Sequence, residues 1–79
     1  MDIQITKTAV KDIKKLDTAT RDRILKSIYK LPIGDVKRLQ GYENYYRLRV
    51  GNYRIIYSII GDIIVIAGVL PRGGAYKHI

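Results

Sequence analysis

The chain has no cysteine, no tryptophan and no phenylalanine, a single histidine and only two prolines in 79 residues. Without thiols there is no disulfide framework, no cysteine nucleophile and no thiolate metal site. The one imidazole, His78, has no second histidine with which to share a metal. The acids are few and scattered: Asp12, Asp17 and Asp22 fall on or near helical segments, Asp35 and Asp62 in turns, and Asp2 and Glu43 beside strands. No acid pair stands out for general acid–base work, no glycine-rich loop has the P-loop pattern, and no cofactor is implied. Long apolar runs are missing too. Residues 55–70 come nearest, but Gly61-Asp62 interrupts them and they are too short to span a bilayer. The first residues lack the basic start and apolar centre of a signal peptide, so the expected location is the cytoplasm.

What is abundant is positive charge. Fifteen Lys and Arg against seven Asp and Glu leave a net charge of +8, a field that favours nucleic acid, an anionic membrane or an acidic protein as partner. Seven tyrosines supply all the aromatic rings, which suits either stacking against a polar ligand or a small core whose rings reach the surface. The length fits one domain, residues 1–79, and a chain this short buries only about 60% of its unfolded surface.

The charge is patterned. In Tyr45-Tyr46-Arg47-Leu48-Arg49-Val50-Gly51-Asn52-Tyr53-Arg54-Ile55-Ile56-Tyr57, Gly-Asn separates two alternating runs and supplies the positive φ of a tight hairpin turn. A two-residue loop fixes the register: Val50 faces Tyr53, Arg49 faces Arg54, Leu48 faces Ile55, Arg47 faces Ile56 and Tyr46 faces Tyr57. Alternation then gathers Tyr46, Leu48, Val50, Tyr53, Ile55 and Tyr57 on a core face, and Tyr45, Arg47, Arg49 and Arg54 on a cationic one. Facing like charges cost up to about 1 kcal/mol. A bound anion removes that cost.

Around the hairpin, Ile3 and Ile5 mark a first strand, and Ala9, Val10, Ile13 and Leu16 form the apolar stripe of a helix with Lys11, Asp12, Lys14 and Lys15 on its other side. Asp17 or Thr18 caps a second helix carrying Ile24, Leu25, Ile28 and Leu31, which Pro32 stops. Residues 36–44 read as an irregular crossing anchored by Leu39, with Lys37 and Arg38 exposed. After the hairpin, Gly61-Asp62 turns the chain into a last strand. In that register Ile60 faces Ile63, Tyr57 faces Ile66 and Arg54 faces Val69, so Val65, Ala67 and Val69 floor the cationic side. Pro71 ends the pairing and leaves a tail from which Arg72 and Tyr76 can fold over the rim. The expected fold is α+β: strand-helix-helix followed by a three-strand antiparallel meander, with two helices on one sheet face.

An arginine array can neutralise the dianionic, phosphorane-like state of RNA cleavage, in which the RNA's own 2′-hydroxyl is the nucleophile. Arginine is a poor base, so proton transfer falls to a tyrosine, His78 or a group outside the chain. The plain alternative is a solvated basic face that keeps the chain soluble, with Tyr45 and Tyr53 as packing residues and Lys37 and Arg38 merely exposed.

With these residues in view, the chain resembles the RelE/ParE toxin superfamily, and in particular the RelE-like mRNA interferases of toxin–antitoxin pairs. The likeness is carried by Leu39-Gln40-Gly41, by the block from Tyr45 to Tyr57, and by Val69-Leu70-Pro71-Arg72-Gly73-Gly74-Ala75-Tyr76. It implies a ribosome-dependent, metal-independent endoribonuclease. Arg54, Arg72 and Tyr76 are then the catalytic candidates, and Arg47, Arg49, Tyr45, Lys37, Arg38 and Lys77 the RNA contacts. The implied partners are an acidic antitoxin protein, mRNA in the ribosomal decoding site and ribosomal RNA, with no membrane. The chain departs from many relatives at Pro71, where they have His, and at Gly73-Gly74. Two other functions fit the superfamily: a ParE-like DNA gyrase inhibitor without nuclease activity, and an inactive partner that only binds.

Overall fold

The computed structural model describes residues 2–71. Both helices begin where the sequence offers a cap. The Thr6 hydroxyl accepts the Ala9 N–H at 3.2 Å and opens α1 (Lys7–Lys14). Asp17 accepts the Thr20 N–H at 3.1 Å and the Thr20 hydroxyl at 2.6 Å, opening α2 (Thr18–Ile28). From α2, Arg21 reaches back to the carbonyls of Leu16 (3.0 Å) and Lys14 (3.4 Å), satisfying acceptors that the end of α1 leaves over. α2 ends before Leu31. The chain tightens there through bonds from Lys30 N–H to the Ser27 carbonyl (3.2 Å) and from Leu31 N–H to the Ile28 carbonyl (3.1 Å), and Leu31 still reaches the core.

Among the described residues five strands form one sheet: β1 (Asp2–Ile5), β2 (Asp35–Arg38), β3 (Tyr45–Val50), β4 (Tyr53–Ile60) and β5 (Ile63–Pro71), in the order β1-β5-β4-β3-β2. β1 runs parallel to β5 at one edge, and the other neighbours are antiparallel. The α+β architecture is the expected one, with one strand more. The segment read as an irregular crossing contains β2, which pairs Asp35 with Arg49 and Arg38 with Tyr46. Asp-Val-Lys-Arg carries one apolar residue and no period of its own, so only the open edge of β3 makes it a strand. Its anchor is Val36, which packs on the core. Leu39 is half-buried outside the core cluster, and its N–H closes the β2–β3 loop on the Tyr45 carbonyl at 2.9 Å.

Ala9, Ile13, Ile24 and Ile28 from the helices meet Leu48, Val50, Ile55, Tyr57, Ile64, Ile66 and Val69 from the sheet. The helices thus cover one sheet face, and among the described residues nothing packs as a second layer on the other. Among the described residues no helix is long and apolar enough to cross a membrane.

The β3–β4 register is the one set by the turn, with Arg49 opposite Arg54 and Gly51 at φ +57. The β4–β5 register holds from Ile60–Ile63 to Tyr57–Ile66 and then slips, because Ile56 pairs with Gly68 and Ala67 is the extra residue of a β-bulge. Arg54 therefore faces Leu70, not Val69, and Val69 turns into the core. Two elements outside the ladder hold this bulge. The Thr6 hydroxyl donates to the carbonyls of Ile66 (2.9 Å) and Ala67 (3.2 Å), and Asp12 Oδ2 accepts the Val69 N–H at 3.0 Å. Asp12, expected on the solvent side of α1, is half-buried for this reason.

Candidate functional site

The open face is built in rows across the sheet. Nearest the β3–β4 turn, Leu70, Arg54, Arg49 and Asp35 stand side by side; next come Gly68, Ile56, Arg47 and Lys37; then Gln4, Val65, Ser58 and Tyr45. Neighbouring positions in a row are about 5 Å apart, and successive rows about 7 Å. Positive charge concentrates on β2, β3 and β4, while β5 contributes apolar surface. The floor expected from Val65, Ala67 and Val69 is corrected to Val65, Gly68 and Leu70, because the bulge inverts the alternation past Ala67.

A cleft of about 340 Å³ opens at the turn end, lined by Arg47, Arg49, Gly51, Asn52, Tyr53 and Arg54. Tyr53 reaches both sides: it packs against the core cluster and also borders this cleft. Arg47 is largely sheltered, at 19% side-chain exposure, and its Nη1 lies 3.8 Å from Asp35 Oδ1, a long ion pair whose carboxylate is 64% exposed. A pair of this kind contributes little to stability. Arg49 and Arg54 are exposed and adjacent, and among the described residues neither has a carboxylate within ion-pair distance. Five guanidinium N–H donors on each make the cleft an acceptor for phosphate oxygens.

Of the other residues picked out from the sequence, Tyr45 is half-buried in the third row, and Lys37 sits exposed opposite Arg47. Arg38 does not join them. It pairs with Tyr46, so its position belongs to the helix-covered side, next to the loop of Leu39, Gln40, Gly41, Tyr42 and Glu43. Arg72, Tyr76 and Lys77 lie outside the described residues. Reasoning from the sequence missed Asp35 as the carboxylate beside Arg47. Its alternation with Lys37 directly after Gly34 was the available signal. On the core face Tyr46 and Tyr57 stack with ring centroids 5.4 Å apart, and burial first, then the neighbouring Tyr46, raises the Tyr57 phenol above its ordinary value. Among the described residues no three His, Cys, Asp or Glu side chains come together as a metal-binding group.

Comparison with known proteins agrees with this architecture. Residues 3–76 match the family described as the ParE toxin of the type II toxin–antitoxin system parDE. The chain is 39% identical over 87 residues to the toxin RelE3 of Methanocaldococcus jannaschii, across 99% of this chain and 98% of that one. Its fold is similar to that in the crystal structure of the RelB–RelE antitoxin–toxin complex from Methanococcus jannaschii, with a TM-score of 0.74, 39% identity, and coverage of 86% of this chain and 88% of that one. The archaeal RelE–RelB complex from Pyrococcus horikoshii OT3 gives a TM-score of 0.76 at 33% identity, covering 94% of this chain and 97% of that one. Helices on one sheet face, a basic hairpin on the other and a family match along nearly the whole sequence lead to one assignment: the chain belongs to the RelE/ParE superfamily, as a toxin of the type II toxin–antitoxin class.

Proposed function

We propose that this toxin is an endoribonuclease that cuts mRNA in the ribosomal decoding site. The observation that carries the proposal is the exposed Arg49–Arg54 pair, with Arg47 beside it, around a cleft open to solvent. Such an array has its charge in place before the substrate arrives, so it stabilises developing negative charge without reorganising. The 2′-oxygen of the RNA attacks the adjacent phosphorus and the bond to the 5′-oxygen of the next nucleotide breaks. Arg47 and Arg49 hold the backbone, with Lys37 and Tyr45 extending that contact along the face. Arg54 and Arg72 stabilise the phosphorane-like state, and Tyr76 positions the base or assists proton transfer. Guanidinium groups here take the part that metal ions play in two-metal nucleases.

An acidic antitoxin in the cytoplasm is the proposed partner, covering the cationic face and blocking ribosome entry. The RelB–RelE complexes of similar proteins support it, as does the net charge of +8.

The description of the matching family favours a second function, gyrase poisoning by protein binding alone. Primer extension on mRNA after induction separates the two. Cuts at ribosome-occupied codons, lost in Arg54→Ala, support the nuclease; double-strand DNA breaks with intact mRNA refute it.

A further inference from the structure

Asp12 occupies a place that local rules disfavour. Aspartate is a weak helix former, and a negative charge in the last turn of a helix opposes the macrodipole. Asp12 lies in the last part of α1, among Lys11, Lys14 and Lys15, yet it is half-buried where they are exposed. Among the described residues its carboxylate makes one hydrogen bond, 57 positions along the chain, accepting the Val69 N–H at 3.0 Å. Val69 is the second residue past the extra residue of the β5 bulge, where the ladder to β4 has slipped. The Thr6 hydroxyl at the other end of α1 holds the carbonyls of Ile66 and Ala67 just before it. α1 thus grips the bulge from both sides.

We propose that Asp12 is a positioning residue for the arginine face, an inference that rests on the nuclease function above. Its carboxylate keeps the extra residue at Ala67, and the extra residue decides which side of the sheet each later residue takes. With the bulge, Leu70 stands beside Arg54 and Val69 fills the core. Without it, alternation exchanges the two, placing a β-branched side chain against Arg54 and pushing Leu70 at the helices. Asp12 touches no substrate; it acts through Val69.

The test uses the purified toxin, its Asp12→Ala and Asp12→Asn variants, and two readouts. By NMR, the wild type should show a contact between the Leu70 methyls and the Arg54 side chain, and a Val69 amide protected from exchange. Asp12→Ala should lose both, while Asp12→Asn, whose amide oxygen still accepts, should keep them. In single-turnover cleavage on programmed ribosomes, Asp12→Ala should slow the step about ten- to a hundredfold, the scale of a small misplacement of catalytic groups. Affinity for the ribosome should change by no more than about threefold, because Arg47 and Arg49 stay in place. Should Asp12→Ala fail to fold, an ester in place of the Gly68–Val69 amide, which removes the N–H and weakens the Gly68 carbonyl as an acceptor, replaces it, with the Leu70–Arg54 contact as its NMR readout. Wild-type NMR behaviour in the variant, or a cleavage loss that follows only the unfolded fraction, overturns the assignment. A wild type that cleaves no mRNA refutes the nuclease function, and the NMR arm then still decides the clamp.

Discussion

Replacing Arg54 by glutamine removes one of two facing charges while keeping a polar, unbranched side chain. Arg49 and Arg54 are direct cross-strand partners, both exposed. Facing side chains leave the sheet with Cβ atoms about 5 Å apart, and two guanidinium groups splayed to about 7 Å in water repel by about 0.6 kcal/mol. Relief of that repulsion should raise the melting temperature of Arg54→Gln by about 2–5 °C for a domain of this size. Arg49→Gln should do the same, and the double variant should gain no more than either alone, because the repulsion can be relieved only once. At about 1 M salt, where the screening length falls to about 3 Å, the gain should vanish. The same substitution should cut mRNA cleavage by about 100- to 1,000-fold, the usual loss when one transition-state donor is removed. Thermal melts at low and high salt, a double-mutant cycle and the ribosome assay on the same samples measure all of this. Variants less stable than wild type at low salt, or gains that add fully in the double variant, would refute the electrostatic account. Stability gained together with activity lost is the signature of a face built for an anion.

Gly34→Ala should destabilise by about 1–3 kcal/mol in urea unfolding, because its φ of +143 suits glycine alone and a Cβ would meet Leu48 Cδ1 at 2.8 Å. The hydrogen bonds that Thr20 gives Asp17, the hydroxyl before the backbone, hold its carboxyl below the ordinary 3.8. Its capping contribution is present above the unfolded value and lost as pH falls through the folded one, so acid melts of wild type and Asp17→Ala should converge at low pH. Tyr57 has the opposite sign: burial raises its phenol above 10.0, so the stabilising protonated form is fully present below that value and its contribution is lost as pH rises through the folded one. Tyr57→Phe should flatten the fall in stability above pH 10 in alkaline denaturation.

The hairpin was legible because its constraints are local: Gly51 fixes the turn, the turn fixes the register, and period-two alternation fixes the faces. β2 was not, since one valine among three polar residues has no pattern until β3 offers its edge. β5 was legible only up to Ile66. Its apolar run Ile63-Ile64-Val65-Ile66-Ala67-Gly68-Val69-Leu70 suits both faces, so a slip of one residue leaves the pattern unchanged. What holds the register is the grip of Thr6 and Asp12, residues far back in the chain whose bonds to the β5 backbone no propensity encodes. Arg38 was grouped with Lys37 by charge and adjacency, whereas alternation on β2 sends the two to opposite sides.

The strand order also governs when the molecule becomes whole. β5 occupies the place between β1 and β4, so among the described residues the first strand has no partner until residues 63–66 exist, and Ile3 must find Ile64 far along the chain. Loop closure over that distance is the slow, entropically costly part of folding. A chain stopped before residue 63 carries every arginine of the hairpin but lacks the strand that supplies Gly68 and Leu70 to their face and Ile64, Ile66 and Val69 to the core. The arginines are made early and become a surface late, so possession of the charge and ability to use it are separated by the final strand.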